Sequence, residues 1–175
     1  NTEEEQLEFG LDSIKYRHYS GGALRIQIIT NNSFRDTSNW YHVVCAVDHS
    51  NSTTDDKAII YVNGVRQTLS TNTIASATYN STLLTATNVI TIGKSRVGSH
   101  FTGYMSEMHF VDGQQLTPTT FGETKQGVWI PKSVSGLTYG NNGFYLNFGN
   151  SSAIGEDGAG SNDYTAYNLN DYDIV

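Results

Sequence analysis

Residues 39–64 constrain the fold of this chain more than any other segment, because they combine two strand patterns with a specific reverse turn. The run from Trp40 to Val47 is rich in β-branched and aromatic residues and predicts a buried strand. A polar loop follows, and residues 58–62 predict a second strand. That strand ends at Asn63-Gly64, a dipeptide suited to a type I′ turn because both positions tolerate positive φ. The segment therefore predicts an antiparallel hairpin in an all-β protein.

The composition supports a strand-rich fold and argues against several classes of function. The 175 residues include 37% hydrophobic and only 15% charged residues, which is typical of strands joined by Ser-, Thr-, Asn- and Gly-rich turns. The formal net charge of −7 leaves no basic stripe for a nucleic-acid backbone. No segment approaches the roughly 20 apolar residues of a membrane helix. We therefore expect one domain over residues 1–175 that neither binds nucleic acid nor inserts into a membrane.

Local patterns predict further strands and one helical turn. Strands are predicted at Gln6–Gly10, Ser13–Tyr19, Ala23–Thr30 and Val89–Gly93, and in the segments FTGYMSEMHFVDG, GVWIPK and NGFYLNF. The polar stretch from Ser70 to Asn88 predicts a long loop, and Thr117 before Pro118 predicts a helical turn. The expected core comprises Val43, Cys45, Val47, Ile60, Val62, Ile90, Ile92, Met108, Phe110, Phe144 and Leu146.

The chain has one cysteine, Cys45, in the middle of a predicted strand. This position favours a small buried side chain over a reactive thiol. A single cysteine cannot form an internal disulfide, although the polar composition is that of an extracellular surface. Virion proteins assembled in a reducing cytoplasm combine these two traits, as do some bacterial surface proteins.

Three blocks of the sequence resemble the laminin-G-like branch of the concanavalin A-like lectin and glucanase superfamily. The first is the W-x-H-V…D…YVNG pattern of residues 40–64, and the second is GYMSEMHFVDGQQLTPTTFGE, which is similar to the closing strand and tail of such domains. The third, from Gly127 to Leu169, resembles a C-terminal extension of laminin-G-like domains in structural proteins of tailed, often marine, phages. The resemblance implies a jelly-roll-like β-sandwich of two antiparallel sheets with one short helical turn.

The resemblance also implies that the sequence is part of a longer polypeptide. Laminin-G-like domains begin with one or two strands before the residues that open this chain. A sheet that lacks those strands has an open edge, which invites a strand from a neighbouring chain. We therefore expect copies of this chain to assemble, as a homotrimer like those of phage fibres and spikes, or to contact another virion protein.

The sequence contains no recognisable catalytic constellation. Glucanases of this superfamily carry paired carboxylates on one strand in an E-x-D-x-x-E pattern, which is absent here. Glu107 stands alone on its predicted strand. The sequence also lacks a G-x-S-x-G nucleophile elbow and closely spaced histidines of the kind that bind zinc. We expect a protein that is not an enzyme.

Glycan binding requires exposed aromatic rings for stacking and planar polar groups for sugar hydroxyls. The candidates in predicted loops are Tyr79, Asn80, Arg96, His100 and Phe101. Trp129 is expected to fill the core and not to bind a sugar.

Calcium is the one cofactor that the sequence leaves open. Laminin-G-like domains often hold one Ca²⁺ at the rim of the sandwich through Asp carboxylates and backbone carbonyls. The loop EDGAGSND offers Asp157, Asn162 and Asp163 as candidate ligands, and residues 48–56 form a second oxygen-rich loop. Neither loop contains the D-x-D-x-D-G pattern, and a solvated loop remains the alternative.

These features predict a non-enzymatic virion structural or adhesion module in a fibre, spike or capsid decoration. Such a module would assemble in the host cytoplasm, lie on the virion surface and contact host surface glycans. The alternatives are a secreted glycan-active enzyme and a cellular carbohydrate-binding adhesion module.

Overall fold

The computed structural model describes residues 3–81, 83, 90–95, 98–169 and 173, and this part of the chain is all-β. Its strands form four antiparallel sheets, with single turns of 3₁₀ helix at Thr54–Asp56 and Pro118–Thr120. The second turn is the one that Thr117 and Pro118 predict. None of the helical segments described is long and apolar enough to cross a membrane.

The chain divides into two compact units. Unit 1 comprises Asn1–Ile90 and Gln115–Ser135, and unit 2 comprises Thr91–Gln114 and Gly136–Val175. The units interleave along the sequence, so the single domain expected over residues 1–175 stays a prediction.

Unit 1 contains two sheets and a separate hairpin. The first sheet has the order β1-β2-β3-β7, with β1 at Glu4–Gly10, β2 at Ser13–Ser20, β3 at Ala23–Thr30 and β7 at Leu69–Ile74. The second has the order β4-β5-β6, with β4 at Val43–Val47, β5 at Ala58–Val62 and β6 at Val65–Arg66. The hairpin pairs β9, Gly122–Lys125, with β10, Val128–Pro131.

The core of unit 1 lies between its two sheets because alternate residues of a strand point to the same face. The first sheet contributes Ile14, Tyr16, Ile26 and Ile28, and the second contributes Ala58, Ile60 and Val62. Val43, Cys45 and Val47 pack against this cluster while partly buried. This face-to-face packing of antiparallel sheets confirms the predicted β-sandwich.

The hairpin predicted at the Asn-Gly dipeptide is present. Asn63 has a φ of 49° and Gly64 a φ of 79°, and β6 returns antiparallel to β5. Gly64 also gives room to Trp129, because a Cβ at this position would lie 2.6 Å from the indole ring atom Cζ3. Gly122 packs against the same ring, 2.6 Å from Cζ2 by the same measure. Trp129 packs closely against both glycines but is only partly buried, so its predicted role as a core residue stays a prediction.

Unit 2 is built on one pair of strands. Strand β8, Met108–Phe110, pairs with β11, Phe144–Leu146. Phe144 and Leu146 are each 1% exposed, and the rings of Phe144 and Phe110 stack at 5.3 Å. The central residues of the two strands, His109 and Tyr145, lie directly opposite each other.

Four sequence predictions of secondary structure were wrong in part. Trp40 is 63% exposed, and β4 begins only at Val43. Residues 69–74 form β7 and not a loop, because their alternating polar residues pair with β3. Residues 90–93 are not in a strand, whereas Val89 lies outside the described residues. The strand predicted around Tyr104 shortens to β8, and Tyr104 itself is 68% exposed.

The core prediction was confirmed for four residues, two on β5 and two on β11. Ile60, Val62, Phe144 and Leu146 are buried. The other predicted members are only partly buried: Val43, Cys45, Val47, Ile90, Ile92, Met108 and Phe110. Burial of the sulfur raises the pKa of Cys45 to about 12, which agrees with an unreactive thiol.

Candidate functional site

The five residues predicted to bind glycan do not form one described cluster. Tyr79 and Asn80 belong to unit 1, while His100 and Phe101 belong to unit 2. Arg96 lies outside the described residues. Glycan binding by these residues stays a prediction, and the two units have to be considered separately.

The ring of Tyr79 is engaged inside unit 1. The guanidinium of Arg25 lies 4.6 Å from the ring centroid, and the ring of His18 meets it edge-on at 6.3 Å. Arg25 therefore covers one face of the ring with a cation–π contact. The neighbouring Asn80 is exposed.

In unit 2, the predicted residues flank a short hairpin. His100 forms an isolated antiparallel bridge with Lys94, and the backbone N–H of Phe101 donates to the carbonyl of Gly93 at 2.8 Å. Phe101 is 41% exposed, and Tyr104, which the sequence analysis did not select, is more exposed still. This segment offers the exposed aromatic side chains of Phe101 and Tyr104.

The predicted calcium ligands do come together, but the carboxylates of Asp157 and Asp163 already accept hydrogen bonds. Asp157 is 5% exposed, and its carboxylate accepts the backbone N–H groups of Tyr145 at 2.9 Å and Ala159 at 2.8 Å on one oxygen. The other oxygen accepts the N–H of Asn162 at 3.0 Å. Asp163 in turn accepts the N–H of Asp157 at 2.9 Å.

This donor set does not fit a calcium cage. A hard cation needs carboxylate lone pairs aimed at it, whereas those of Asp157 face N–H groups. The side-chain amide of Asn162 also donates, to the carbonyls of Asn141 and Gly143. No cluster of three or more His, Cys, Asp or Glu suitable for a metal occurs among the residues that the structure describes. Asp157 is an anchor for the loop.

His109 on β8 and Tyr145 on β11 form a cluster with two residues outside these strands. We call it the aromatic cluster: Glu107, His109, Tyr139 and Tyr145. The rings of His109 and Tyr145 stack at 4.5 Å, only 7° from parallel. The ring of His109 also stacks with Tyr139, and its Nδ1 lies 2.7 Å from the Tyr139 hydroxyl. The Tyr145 hydroxyl donates to Oε2 of Glu107 at 2.6 Å.

Local backbone contacts fix the position of each ring. Strand pairing sets Tyr145 opposite His109. The carbonyl of Tyr139 accepts the N–H of Asp112 at 2.8 Å, which ties the Tyr139 segment to the end of β8. Tyr145 is tied to the Asp157 loop by two bonds, because its carbonyl also accepts the N–H of Gly158 at 2.8 Å. The loop once predicted to hold calcium therefore supports the aromatic cluster.

Both tyrosines of the cluster stay protonated at physiological pH. Burial, followed by the hydrogen bond and charge of Glu107, raises the pKa of Tyr145 to about 12. Burial and the charges of Asp157 and Glu107 raise the pKa of Tyr139. The cluster therefore presents neutral phenol donors beside one exposed carboxylate.

Glu107 adopts an unusual backbone conformation for its residue type. Its φ is 54°, in the left-handed region that side chains with a Cβ rarely occupy. The hydrogen bond to Tyr145 is made from this conformation. Phe148 and Asn168 of unit 2 share this region, with φ of 57° and 56°, so the conformation by itself does not mark Glu107 as a functional residue.

The cluster can bind hydroxyl-rich molecules but lacks the carboxylate pair of a glycosidase. Retaining and inverting glycosidases need two carboxyl groups facing the scissile bond, one of them able to donate a proton. Two further carboxylates lie near the cluster: Asp112 is half-buried and accepts the backbone N–H and side-chain amide of Asn142, and Asp157 is buried. Burial raises the pKa of Asp157, but the hydrogen bonds from backbone N–H groups outweigh burial and hold the pKa below its ordinary value. Asp157 is thus a permanently ionised anchor and a poor general acid.

The Asp157 loop also borders a cleft of about 430 Å³ in unit 2. The polar and aromatic part of its lining comprises Ser151, Ser152, Glu156, Asp163 and Tyr164. Glu156 accepts a hydrogen bond from the side-chain amide of Asn150 at 2.7 Å. The cleft is large enough for a small polar ligand, although its carboxylates are engaged within the loop.

Sequence reasoning missed the aromatic cluster because its members are far apart in the chain. The segments containing His109 and Tyr145 were both predicted to be strands. Their pairing joins residues 36 positions apart, which no local pattern indicates. The available signal was the position of both residues between buried neighbours, which places them on outward faces.

Comparison with protein-family models finds the concanavalin A-like lectin/glucanases superfamily, which matches residues 2–120. No curated protein and no solved structure matches the chain. The matched range covers more than half of the chain, including the whole two-sheet sandwich of unit 1 and strand β8 of unit 2. The chain therefore belongs to the concanavalin A-like lectin/glucanase superfamily.

Proposed function

We propose that this protein is a non-enzymatic carbohydrate-binding adhesion module, and that the aromatic cluster of unit 2 contacts the glycan. Membership of the superfamily suggests carbohydrate binding or adhesion as the class of function. The observation that carries the proposal is the composition of the cluster: two phenols, an imidazole and one exposed carboxylate on a single face. Planar polar groups beside aromatic rings are the usual means of recognising sugars.

We also propose that the protein does not cleave the glycan that it binds. Glu107 is exposed and hydrogen-bonded to Tyr145, while Asp157 is buried and bonded to backbone N–H groups. Asp112, beside Tyr139, is half-buried and accepts hydrogen bonds from Asn142. Of these three carboxylates only Glu107 is exposed, so we expect no division of the acid and base roles of a glycosidase among them. Binding without cleavage is the chemistry that this arrangement supports.

Glycan binding is tested with an array of neutral and acidic glycans and the variants Glu107→Gln and Tyr145→Phe. Each variant removes one side of the same charge-assisted hydrogen bond, and we expect each to weaken binding about tenfold. Tyr167→Phe is the matched control, because Tyr167 is an 81% exposed tyrosine of the same unit. Its binding should equal that of the unaltered protein.

Two results would contradict the proposal. One is equal binding by all three variants, which would place the glycan elsewhere or nowhere. The other is release of reducing ends from a polysaccharide panel by the unaltered protein, with loss of that activity in Glu107→Gln. The second result would favour the alternative of a secreted glycan-active enzyme.

We further propose that the module belongs to a virion, as part of a fibre, spike or capsid decoration that meets host surface glycans. The support is the resemblance of residues 127–169 to extensions found in tailed-phage structural proteins, together with the single unpaired cysteine. Trimeric assembly, or contact with another virion protein, is part of this proposal. Exposed apolar side chains such as Leu11 and Trp40 in unit 1 offer surface for such contacts.

Genomic context and light scattering test this assignment. Neighbouring genes for capsid, portal or tail proteins would support it, and light scattering should give about three times the 19.2 kDa mass of one chain. A monomer encoded among cellular adhesion genes would favour the cellular carbohydrate-binding module. Glycan binding by the aromatic cluster does not depend on this outcome.

A further inference from the structure

Hydrogen-bond donors are scarce in the aromatic cluster once its internal contacts are made. The two phenols and a neutral imidazole at His109 bring three hydrogens on oxygen or nitrogen. The Tyr145 hydroxyl donates one of them to Oε2 of Glu107 at 2.6 Å. The contact of 2.7 Å between the Tyr139 hydroxyl and Nδ1 of His109 takes a second hydrogen, whichever group donates it. At most one hydrogen is therefore left for a ligand.

Hydrogen-bond acceptors are plentiful in the same cluster. A carboxylate offers about four lone-pair positions on its two oxygens. Among the residues that the structure describes, Tyr145 alone donates to Glu107, and this bond uses one position on Oε2. Glu107 is exposed, so its other positions can reach a bound molecule. The cluster therefore matches a ligand that donates hydrogen bonds better than one that accepts them.

The charge of Glu107 is not neutralised by a neighbouring cation within the described part of the chain. The ion pairs between described side chains lie in unit 1, as for Arg66 with Asp56. After burial, the charges of Asp157 and Glu107 are the causes that raise the pKa of Tyr139, so both carboxylates act on the cluster. A cation at this place is attracted, and an anion is repelled.

The composition of unit 2 extends this effect beyond contact distance. Its sequence contains one lysine, Lys94, and one arginine, Arg96. Its carboxylates are Glu107, Asp112, Glu156, Asp157, Asp163, Asp171 and Asp173. A surface with an excess of one charge attracts ligands of the opposite sign and repels those of the same sign, over roughly 10 Å at moderate ionic strength.

Three classes of sugar meet these groups differently. A uronic acid or a sulfated sugar brings negative charge and additional acceptors, which the cluster does not match. A neutral sugar can donate from its hydroxyls to Glu107. A sugar with a free amine carries an ammonium group, which combines a positive charge with three hydrogens and no acceptor. The tyrosine rings beside Glu107 also attract a cation through their π faces.

We propose that the aromatic cluster selects glycans that contain amino sugars with a free amine, and that the ammonium group binds the carboxylate of Glu107. The inference rests on the proposed glycan contact and adds the class of sugar to it. Hydrogen bonds between an ammonium and a carboxylate are about twice as strong as those between neutral groups. Glycans of uronic acids and sulfated glycans are the least favoured ligands.

Four oligosaccharides of equal length test this selectivity by calorimetry: one of 2-amino-2-deoxyglucose, its N-acetylated form, one of glucose and one of glucuronic acid. N-acetylation is the matched change, because it removes the charge and two hydrogens from the nitrogen. The measurements are made at about pH 6, below the pKa of about 7.7 that is ordinary for an α-amino group. We expect the free amine to tighten binding about tenfold over the acetylated form, the factor that one hydrogen bond between charged groups supports. Glucuronic acid should bind most weakly.

Variants locate the selectivity at one carboxylate. Glu107→Gln keeps the length of the side chain but removes its charge, so the two nitrogen-containing forms should bind equally. Tyr145→Phe keeps the charge, so the preference for the free amine should persist although overall affinity falls. Glu156→Gln is the matched control, because it removes the same charge from another exposed glutamate of unit 2. It should keep both the preference and the affinity. Equal unfolding midpoints establish that the variants are folded.

Three results would overturn the proposal. Binding of the acetylated or glucuronic acid form as tightly as the free amine would refute the selectivity, while the glycan contact itself would stand. Loss of the preference in Glu156→Gln as well as Glu107→Gln would show that the charge of the whole unit, and not Glu107, selects the ligand. If none of the four oligosaccharides binds, the selectivity is wrong. Binding of other glycans on the array then separates this failure from failure of the proposed function.

Discussion

Gly143→Ala is expected to destabilise unit 2 by about 3 kcal/mol or more, because no side-chain movement can make room for the added methyl group. A Cβ at this position would lie 2.6 Å from the carbonyl carbon of Tyr139 and closer still to its oxygen. The obstacle is backbone, and that carbonyl is already fixed by the N–H of Asp112 at 2.8 Å. The change must therefore displace the Tyr139 segment from the start of β11.

The functional consequence follows from the position of Tyr139 in the aromatic cluster. A shift of its backbone separates its hydroxyl from Nδ1 of His109, so glycan binding should fall together with stability. Chemical denaturation and the glycan array measure the two effects. Gly149→Ala is the control in the same unit, since neither glycine has a positive φ and a Cβ at Gly149 meets only the Asn147 side chain, no closer than 3.6 Å. If both variants are equally stable, the Tyr139 carbonyl cannot lie as close to Gly143 as the structure places it.

The sequence predicts strands well where side chains alternate and poorly where burial depends on a distant partner. β2 was predicted because Ile14, Tyr16 and His18 alternate with polar or aromatic neighbours. β3 follows a Gly-Gly turn and alternates less cleanly. β7 was missed because its residues are mostly Ser, Thr and Asn, and it becomes a strand only by pairing with β3. Trp40 illustrates the reverse case. Because Trp40 is aromatic, the predicted strand began at this residue, but the side chain is exposed and β4 begins three residues later.

The candidate sites show the same limit more strongly. His109 was visible as a strand residue, but its stacking on Tyr145 depends on the register between β8 and β11. In unit 1, the Tyr16 hydroxyl likewise contacts Glu5 and His49, which lie in separate segments of the chain. Pairing register and side-chain burial are tertiary properties, so composition and spacing could select residue types but not their partners. The calcium prediction failed to find support for the same reason. The sequence shows that the loop is rich in side-chain oxygens, but it does not show that the carboxylate of Asp157 accepts hydrogen bonds from backbone N–H groups.

Asp157→Ala is expected to lower the free energy of unfolding of unit 2 by about 3 kcal/mol, because three backbone N–H groups lose one shared, buried and charged acceptor. The carboxylate accepts from Tyr145, Ala159 and Asn162, and each bond is 3.0 Å or shorter. Glu156→Ala is the control, since it removes the same charge from the adjacent, exposed residue. Substitution at such a surface position should change stability by no more than about 0.5 kcal/mol.

The pH dependence of unfolding gives this prediction a definite sign. The pKa of Asp157 is lower in the folded protein than its ordinary value, because the backbone hydrogen bonds outweigh burial. The contribution of ionised Asp157 to the free energy of unfolding is therefore fully present above the ordinary Asp pKa of about 3.9. It is lost as the pH falls through the lower pKa of the folded protein. The unaltered protein should lose stability in that acidic range, and Asp157→Ala should lose less.

Adding Ca²⁺ tests whether Asp157 only accepts backbone hydrogen bonds or also binds a cation. If Asp157 serves as an acceptor for N–H groups, millimolar Ca²⁺ should leave the unfolding midpoint of the unaltered protein unchanged, since its lone pairs are occupied. A ligand that binds only the folded state must raise that midpoint in proportion to its affinity. A rise with Ca²⁺ that disappears in Asp157→Ala would restore the calcium site that the loop sequence suggested. If Ca²⁺ has no effect, the role of the Asp157 carboxylate is to accept the backbone N–H of Tyr145 and so to hold the strand that carries the aromatic cluster.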